Sequence, residues 1–164
     1  MELVYLGLGT NQGDRLGNLQ KAIDLLEERI APIEQKSQIY QTAAWGIEDQ
    51  APFLNMVIKL STLLGPKAIL KAVLAIEADM GRERKQKWGE RLIDIDILFF
   101  GNQILETPEL IIPHPFIQER NFVLVPMAEL APDFVHPIHQ KSIRLLKEVS
   151  LDQLKVSDFL GEEE

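Results

Sequence analysis

Two helical stripes, each set behind an apolar run, constrain this chain more than any other feature. Leu16, Leu19, Ile23, Leu26 and Ile30 recur at three- and four-residue steps, and so do Ile69, Val73, Ile76 and Met80. The first helix begins at about Asp14 and Pro32 stops it; Gly65-Pro66 opens the second and Gly81 closes it. Ahead of the first lies "LVYLGL", residues 3–8, which predicts a central strand. Between the helices fall a more polar strand over 33–41 and a longer one, "FLNMVIKLST", over 53–62. A strand at about 93–100 follows the second helix. This order predicts an α+β chain with a ferredoxin-like split βαβ core: a mainly antiparallel sheet with both helices on one face. Right-handed crossovers seat the helices side by side. "FGNQ" is expected to turn the last strand toward a short partner near 103–106. The remainder is a Pro-rich C-terminal extension with a helix near 122–130 and a frayed "GEEE" end.

The 164 residues fit one domain, residues 1–164, and 46% apolar residues supply a core and exclude a disordered chain. With no Cys, disulfides and Cys-ligated zinc are excluded, and a reducing compartment fits. A net charge of −8 repels nucleic acid and anionic membranes. The start lacks the basic region of a signal sequence, and no apolar stretch approaches the ~20 residues of a membrane span. A soluble, cytoplasmic protein is expected. Residues 42–52 and 82–92 form two connections of 11 residues each. Compact domains usually use about 4–6, and longer loops are often functional.

The strand "IDIDILFF" carries Asp94 and Asp96 between Ile93, Ile95 and Ile97. Alternation puts both carboxylates on one face, with backbones roughly 7 Å apart. Facing carboxylates without a cation repel and raise at least one pKa; a hard divalent cation such as Mg²⁺ or Mn²⁺ removes that cost. The alternative is a solvated face, although Asp is depleted in strands. Just upstream, "GRERKQKWGER" holds Arg82, Arg84, Lys85, Lys87 and Arg91 against two acids, in an otherwise acidic chain. Beside a metal-holding strand such a loop suits a polyphosphate, which Arg grips bidentately. Trp88 could cover a base or pack as a lid; taken alone, the run reads as solvated charge. His114, between two prolines in "IPHPF", could donate to phosphate or serve structure. His136 and His139 read as ordinary surface residues. Phe53 and Asn55 share a strand face, and with Phe122 they could hold a flat heterocycle by stacking and hydrogen bonds, or simply pack in the core. "GLGTNQG" lacks the spacing of a phosphate loop and reads as a tight strand-to-helix turn.

Together, "YLGLGTNQGD", "YQTAAWG", "FLN", "GRERKQKWGERLIDIDILFFG" and "IPHPFIQERNFVLVPMAELAP" resemble the 6-hydroxymethyl-7,8-dihydropterin pyrophosphokinases of folate biosynthesis. The resemblance implies an enzyme that moves the terminal diphosphate of ATP to the pterin hydroxymethyl group and releases AMP; a monomer is expected. It implies that Asp94 and Asp96 hold two Mg²⁺ ions bridging the ATP phosphates. Arg82 and Arg91 would stabilise charge on the transferring group. Arg84, Trp88, Ile97, His114 and Arg120 match ATP-side positions. Phe53 and Phe122 would sandwich the pterin, with Asn55, Thr42 and backbone near Ala43 and Trp45 on its edge. The two long connections would close over the substrates. Phe53 stands where the family can have Tyr, Ala43 where it commonly has Pro, and Pro115 where it can have Tyr. A nucleic-acid-binding module of the same fold class would need an aromatic sheet motif that is absent here. A metal-dependent phosphohydrolase would release ADP or phosphate in place of AMP.

Overall fold

The structure, a computed structural model, describes residues 1–42, 51–81 and 92–159. Five strands and two helices build its centre: β1 (Glu2–Thr10), α1 (Arg15–Arg29), β2 (Ile33–Lys36), β3 (Tyr40–Thr42), β4 (Phe53–Thr62), α2 (Pro66–Gly81) and β5 (Asp94–Phe100). The helices start and stop for local reasons. Asp14 caps α1 by accepting from Gly17 N, and Pro66 sits at the first position of α2. The predicted stripes face inward: Leu19, Ile23 and Leu26 of α1 and Ile69, Val73, Ile76 and Met80 of α2 are buried. Burying each such side chain stabilises the fold by about 2 kcal/mol.

The sheet order is β5-β1-β4-β3, with β2 also on β4, and every pairing is antiparallel. The expected single strand over 33–41 is two. Ser37 interrupts it: its N–H donates to Val57 O at 2.9 Å, and its hydroxyl accepts from Val57 N at 3.0 Å. The side chain thus takes a bond that a strand carbonyl would have taken. The expected partner of β5 near 103–106 is also different. Gly101, at φ +56°, turns the chain away, and β6 (Leu105–Glu106) pairs instead with β7 (Ile111–Ile112). Thr107 and Leu110 close that hairpin by exchanging backbone bonds of 3.0 and 3.3 Å.

The second face of the sheet is covered by α3 (Asn121–Leu130) and α4 (Ile143–Val149), which pack with Tyr5, Val57, Leu98 and Phe99. α3 lies where the sequence predicts a helix, whereas α4 has no counterpart among the predicted elements, although Ser142 caps it by accepting from Leu145 N. β8 (Val156–Asp158), equally unpredicted, joins the sheet on β3. Between β1 and β5 the register slips: Tyr5 faces Phe99 but Leu6 faces Ile97. Leu98 is the extra residue of this bulge. Leu98 and Phe99 therefore both join the α3 side, and Phe100 returns to the α1–α2 side.

His136 is a correction of another kind. Expected at the surface, it is 1% exposed, edge-on to Phe99 at 5.4 Å. Its Nδ1 accepts from Ile138 N and His139 N at 3.1 and 3.2 Å, so the neutral ring carries its proton on Nε2. Burial, and secondarily His139, lower its pKa from 6.5 to about 4. A depressed His stabilises the fold fully above the unfolded value and loses that contribution as pH falls from about 6.5 toward 4. We expect stability to drop by up to about 3 kcal/mol over that window. Denaturant melts at stepped pH check this. In His136→Asn, whose Oδ1 can accept the same backbone bonds, the slope should shrink without vanishing, since burial also depresses His114.

Candidate active site

Strand β1, between β4 and β5, lacks side chains at two positions on the face that carries the aspartates. On β1, Gly9 lies between Asn55 of β4 and Asp94 of β5, and Gly7 lies between Val57 and Asp96. Both aspartates thus point to the α3 face across a floor of bare backbone, while Ile93, Ile95 and Ile97 are at most 5% exposed. The space above that floor is a cavity of about 750 Å³. These glycines were read from sequence as a turn. They are inside the strand, and the turn falls later, at Gly13 with φ +62°. Their signal was the two-residue spacing within an apolar strand, which vacates one face. A side chain at Gly9 would also displace the Asn55 amide. A Cβ there would lie 2.9 Å from Asn55 Oδ1.

The cavity has an acidic and an aromatic end. Asp94 and Asp96 stand at the first; Thr42, Phe53, Asn55 and Phe122 line the second. Asn55 is 6% exposed and donates from Nδ2 to Thr42 Oγ1 at 3.3 Å. With the amide so oriented, its Oδ1 is aimed past Gly9. The guanidinium of Arg120, also on the cavity wall, lies 5.0 Å from the ring centre of Phe116 and 5.7 Å from that of Phe122. These cation–π contacts hold the cation against both rings.

Asp96 also lines a second hollow of about 330 Å³ at the outer edge of β5, with Ile97, His114, Leu110 and Ile111. His114 is held by its backbone, whose N–H donates to Leu98 O at 3.1 Å, and its Nδ1 accepts from Phe116 N at 3.2 Å. The neutral ring therefore presents an Nε2–H. Burial lowers its pKa, the Asp96 carboxylate opposes that, and Arg120 reinforces it. Glu77, which the sequence reading did not single out, supports the pair from α2. Its Oε2 accepts from Ile95 N, the residue between the aspartates, at 2.7 Å. Thr10 holds the approach to β5 by donating to Leu92 O at 2.6 Å.

Of the predicted residues, Thr42, Phe53, Asn55, Asp94, Asp96, Arg120 and Phe122 meet in the first cavity. Ile97 and His114 lie in the second, and Asp96 in both. Ala43, Trp45, Arg82, Arg84, Trp88 and Arg91 lie outside the described residues. Among the described residues, no three or more His, Asp or Glu side chains gather in a metal-binding group. Two carboxylates alone suit Mg²⁺, which keeps waters and takes its remaining oxygens from a substrate's phosphates.

Fold and site together define an antiparallel α+β protein with a carboxylate pair at one cavity, of which Asp96 also reaches a second, smaller hollow. The family model described as 7,8-dihydro-6-hydroxymethylpterin-pyrophosphokinase (HPPK) matches residues 5–132. The chain is 44% identical over 147 residues to the 2-amino-4-hydroxy-6-hydroxymethyldihydropteridine pyrophosphokinase of Aquifex aeolicus, covering 90% of this chain and 91% of that one. It is 44% identical to the Bacillus subtilis protein of the same name, over 78% of this chain and 77% of that one. The chain belongs to the HPPK family. In fold it is similar to wild-type Plasmodium falciparum HPPK-DHPS solved with pteroate, at a TM-score of 0.74 and 18% identity. That match covers 90% of this chain and 42% of the longer one. No helix among the described residues is long and apolar enough to cross a membrane.

Proposed function

We propose that this chain transfers the terminal diphosphate of ATP to the hydroxymethyl group of 6-hydroxymethyl-7,8-dihydropterin, releasing AMP, in folate biosynthesis. One observation carries the reading: Asp96 lines both hollows, so the carboxylate pair stands where two bound substrates would meet. The aromatic end suits a pterin. Phe53 and Phe122 stack on its faces, and Asn55, steadied by Thr42, bonds its edge. Backbone near Ala43 and Trp45 completes that edge. The second hollow suits the nucleotide, with Ile97 against the base and His114 donating from Nε2 to phosphate.

In the reaction the pterin alcohol oxygen bonds to the β-phosphorus as the bond from that phosphorus to the α–β bridging oxygen breaks, AMP leaves with the bridging oxygen, and the alcohol proton passes to water. Positioning and neutralisation of charge dominate such a step. Asp94 and Asp96 fit two Mg²⁺ ions, because they offer hard oxygen donors on one face over a floor without side chains. When bound, the ions neutralise phosphate charge and align donor with acceptor. Arg120 adds a fixed cation on the phosphate side, Arg82 and Arg91 neutralise charge on the transferring group, and Arg84 and Trp88 contact or cover the ATP. The reading describes one catalytic domain over 1–164, a cytoplasmic monomer acting on small molecules and not on nucleic acid or membranes. It includes a ferredoxin-like core with a Pro-rich C-terminal extension, which the strand order β5-β1-β4-β3 supports.

The test incubates the protein with Mg²⁺, ATP and the hydroxymethyl-dihydropterin and separates the products. AMP with a diphosphorylated pterin is expected; ADP or free phosphate would overturn the reading. Phe53→Ala should weaken pterin binding by about tenfold, the scale of a lost ring contact, and change ATP binding less than twofold. Titration calorimetry with each ligand distinguishes this from a general loss of structure, which would weaken both equally.

A further inference from the structure

The family match ends at residue 132, yet the cavity does not. Asp152 and Leu154 also line it, from the segment that follows α4. That segment is tied down on both sides of the cavity. At one side Asp152 accepts from Asn121 N through Oδ2 at 2.8 Å and from Leu154 N through Oδ1 at 3.0 Å. Asn121 Nδ2 donates to the Asp152 carbonyl at 3.1 Å. Asn121 is the first residue of α3, so the Asp152 carboxylate satisfies one orphan N–H at that helix start and complements its dipole. The next residue is Phe122. At the other side β8 pairs with β3, with Val156 opposite Thr42. Phe159 N then donates to Ile39 O at 3.0 Å, and the Phe159 ring lies 5.7 Å from the Arg15 guanidinium.

We infer that residues 150–159 form a strap that completes the aromatic end of the cavity and helps set which flat heterocycle it accepts. The inference rests on the pterin reading of that end. Leu154 supplies an apolar wall against the ring or its substituent. Asp152 is a positioning residue: it acts through the start of α3 on Phe122. Anchorage on α3 and on β3 ties the strap to two of the groups expected on the pterin, Phe122 and Thr42. The nucleotide hollow, at the outer edge of β5, receives no strap residue.

The experiment uses the full chain. Leu154→Ala and Asp152→Asn are compared with wild type for binding of 6-hydroxymethyl-dihydropterin in the presence of a non-hydrolysable ATP analogue, for binding of that analogue with Mg²⁺, and for melting temperature. Leu154→Ala should weaken pterin binding about five- to tenfold, the scale of a lost apolar contact, with analogue affinity held within twofold. Asp152→Asn should act the same way, because one amide oxygen cannot accept both backbone bonds. Unchanged pterin affinity in Leu154→Ala overturns the inference. So does an equal loss for both ligands together with a lowered melting temperature, the result of a merely structural tail. AMP production by wild type is measured separately, so a failure of the reaction assigned above is distinguished from a failure of the strap.

Discussion

Asp94→Ala and Asp96→Ala should each slow turnover by about a thousandfold or more, the scale of removing one strong electrostatic contact from a transition state. Steady-state AMP release at saturating Mg²⁺-ATP measures this. Melting temperature in Asp96→Ala should hold or rise slightly, because that variant removes one of two like charges on the same strand face. Both residues are only half-buried, while the isoleucines flanking them fill the core and stay. The variants should also lose most of the thermal stabilisation that Mg²⁺ with an ATP analogue gives wild type, since ligand stabilisation tracks affinity. Near-normal turnover in either variant would remove the carboxylate pair from the chemistry.

Gly9→Ala is expected to impair use of the pterin, less severely than loss of either aspartate, for a steric reason. The added Cβ would stand 2.9 Å from Asn55 Oδ1, closer than real contacts allow, so the amide must move. Moving it breaks the bond to Thr42 and misaligns the group expected to read the pterin edge. We expect kcat/KM for the pterin to fall about thirtyfold, consistent with one misplaced hydrogen-bonding group. Stability should change by less than about 1 kcal/mol, because a strand prefers Ala to Gly. Steady-state kinetics and a denaturant melt on the same preparation separate the two effects. If kcat/KM for pterin is unchanged, the asparagine is not read by the substrate.

The parts of this molecule that sequence could reveal are those that repeat locally. The stripes of α1 and α2 obey a helical period, and the caps at Asp14 and Pro66 mark their starts. Asp94 and Asp96 were legible because charge inside an apolar strand is conspicuous and the two-residue period fixes their shared face. Phe53, Asn55 and Phe122 were visible as residues, but nothing local brought them together. The strand read as one over 33–41 was misread because Ser37 replaces a strand bond with its own hydroxyl, a choice that depends on Val57 twenty residues away. His136 was misread because its burial comes from Phe99, on a strand distant in sequence.

Local pattern along the chain sufficed for the alternation of strands and helices in the core, the acidic face of β5 and, through its motifs, the family. Tertiary structure decided what could be done with that face. Antiparallel register set Gly7 and Gly9 between Asn55 and the aspartates, so that two missing side chains became the floor of a cavity. A one-residue bulge at Leu98 turned Phe99 toward α3 and Phe100 toward α2, reversing what strict alternation predicts. A C-terminal segment with no motif of its own came to line the site. Periodicity is a property of neighbours along the chain, whereas register, bulges and cavity walls depend on contacts between residues far apart in it.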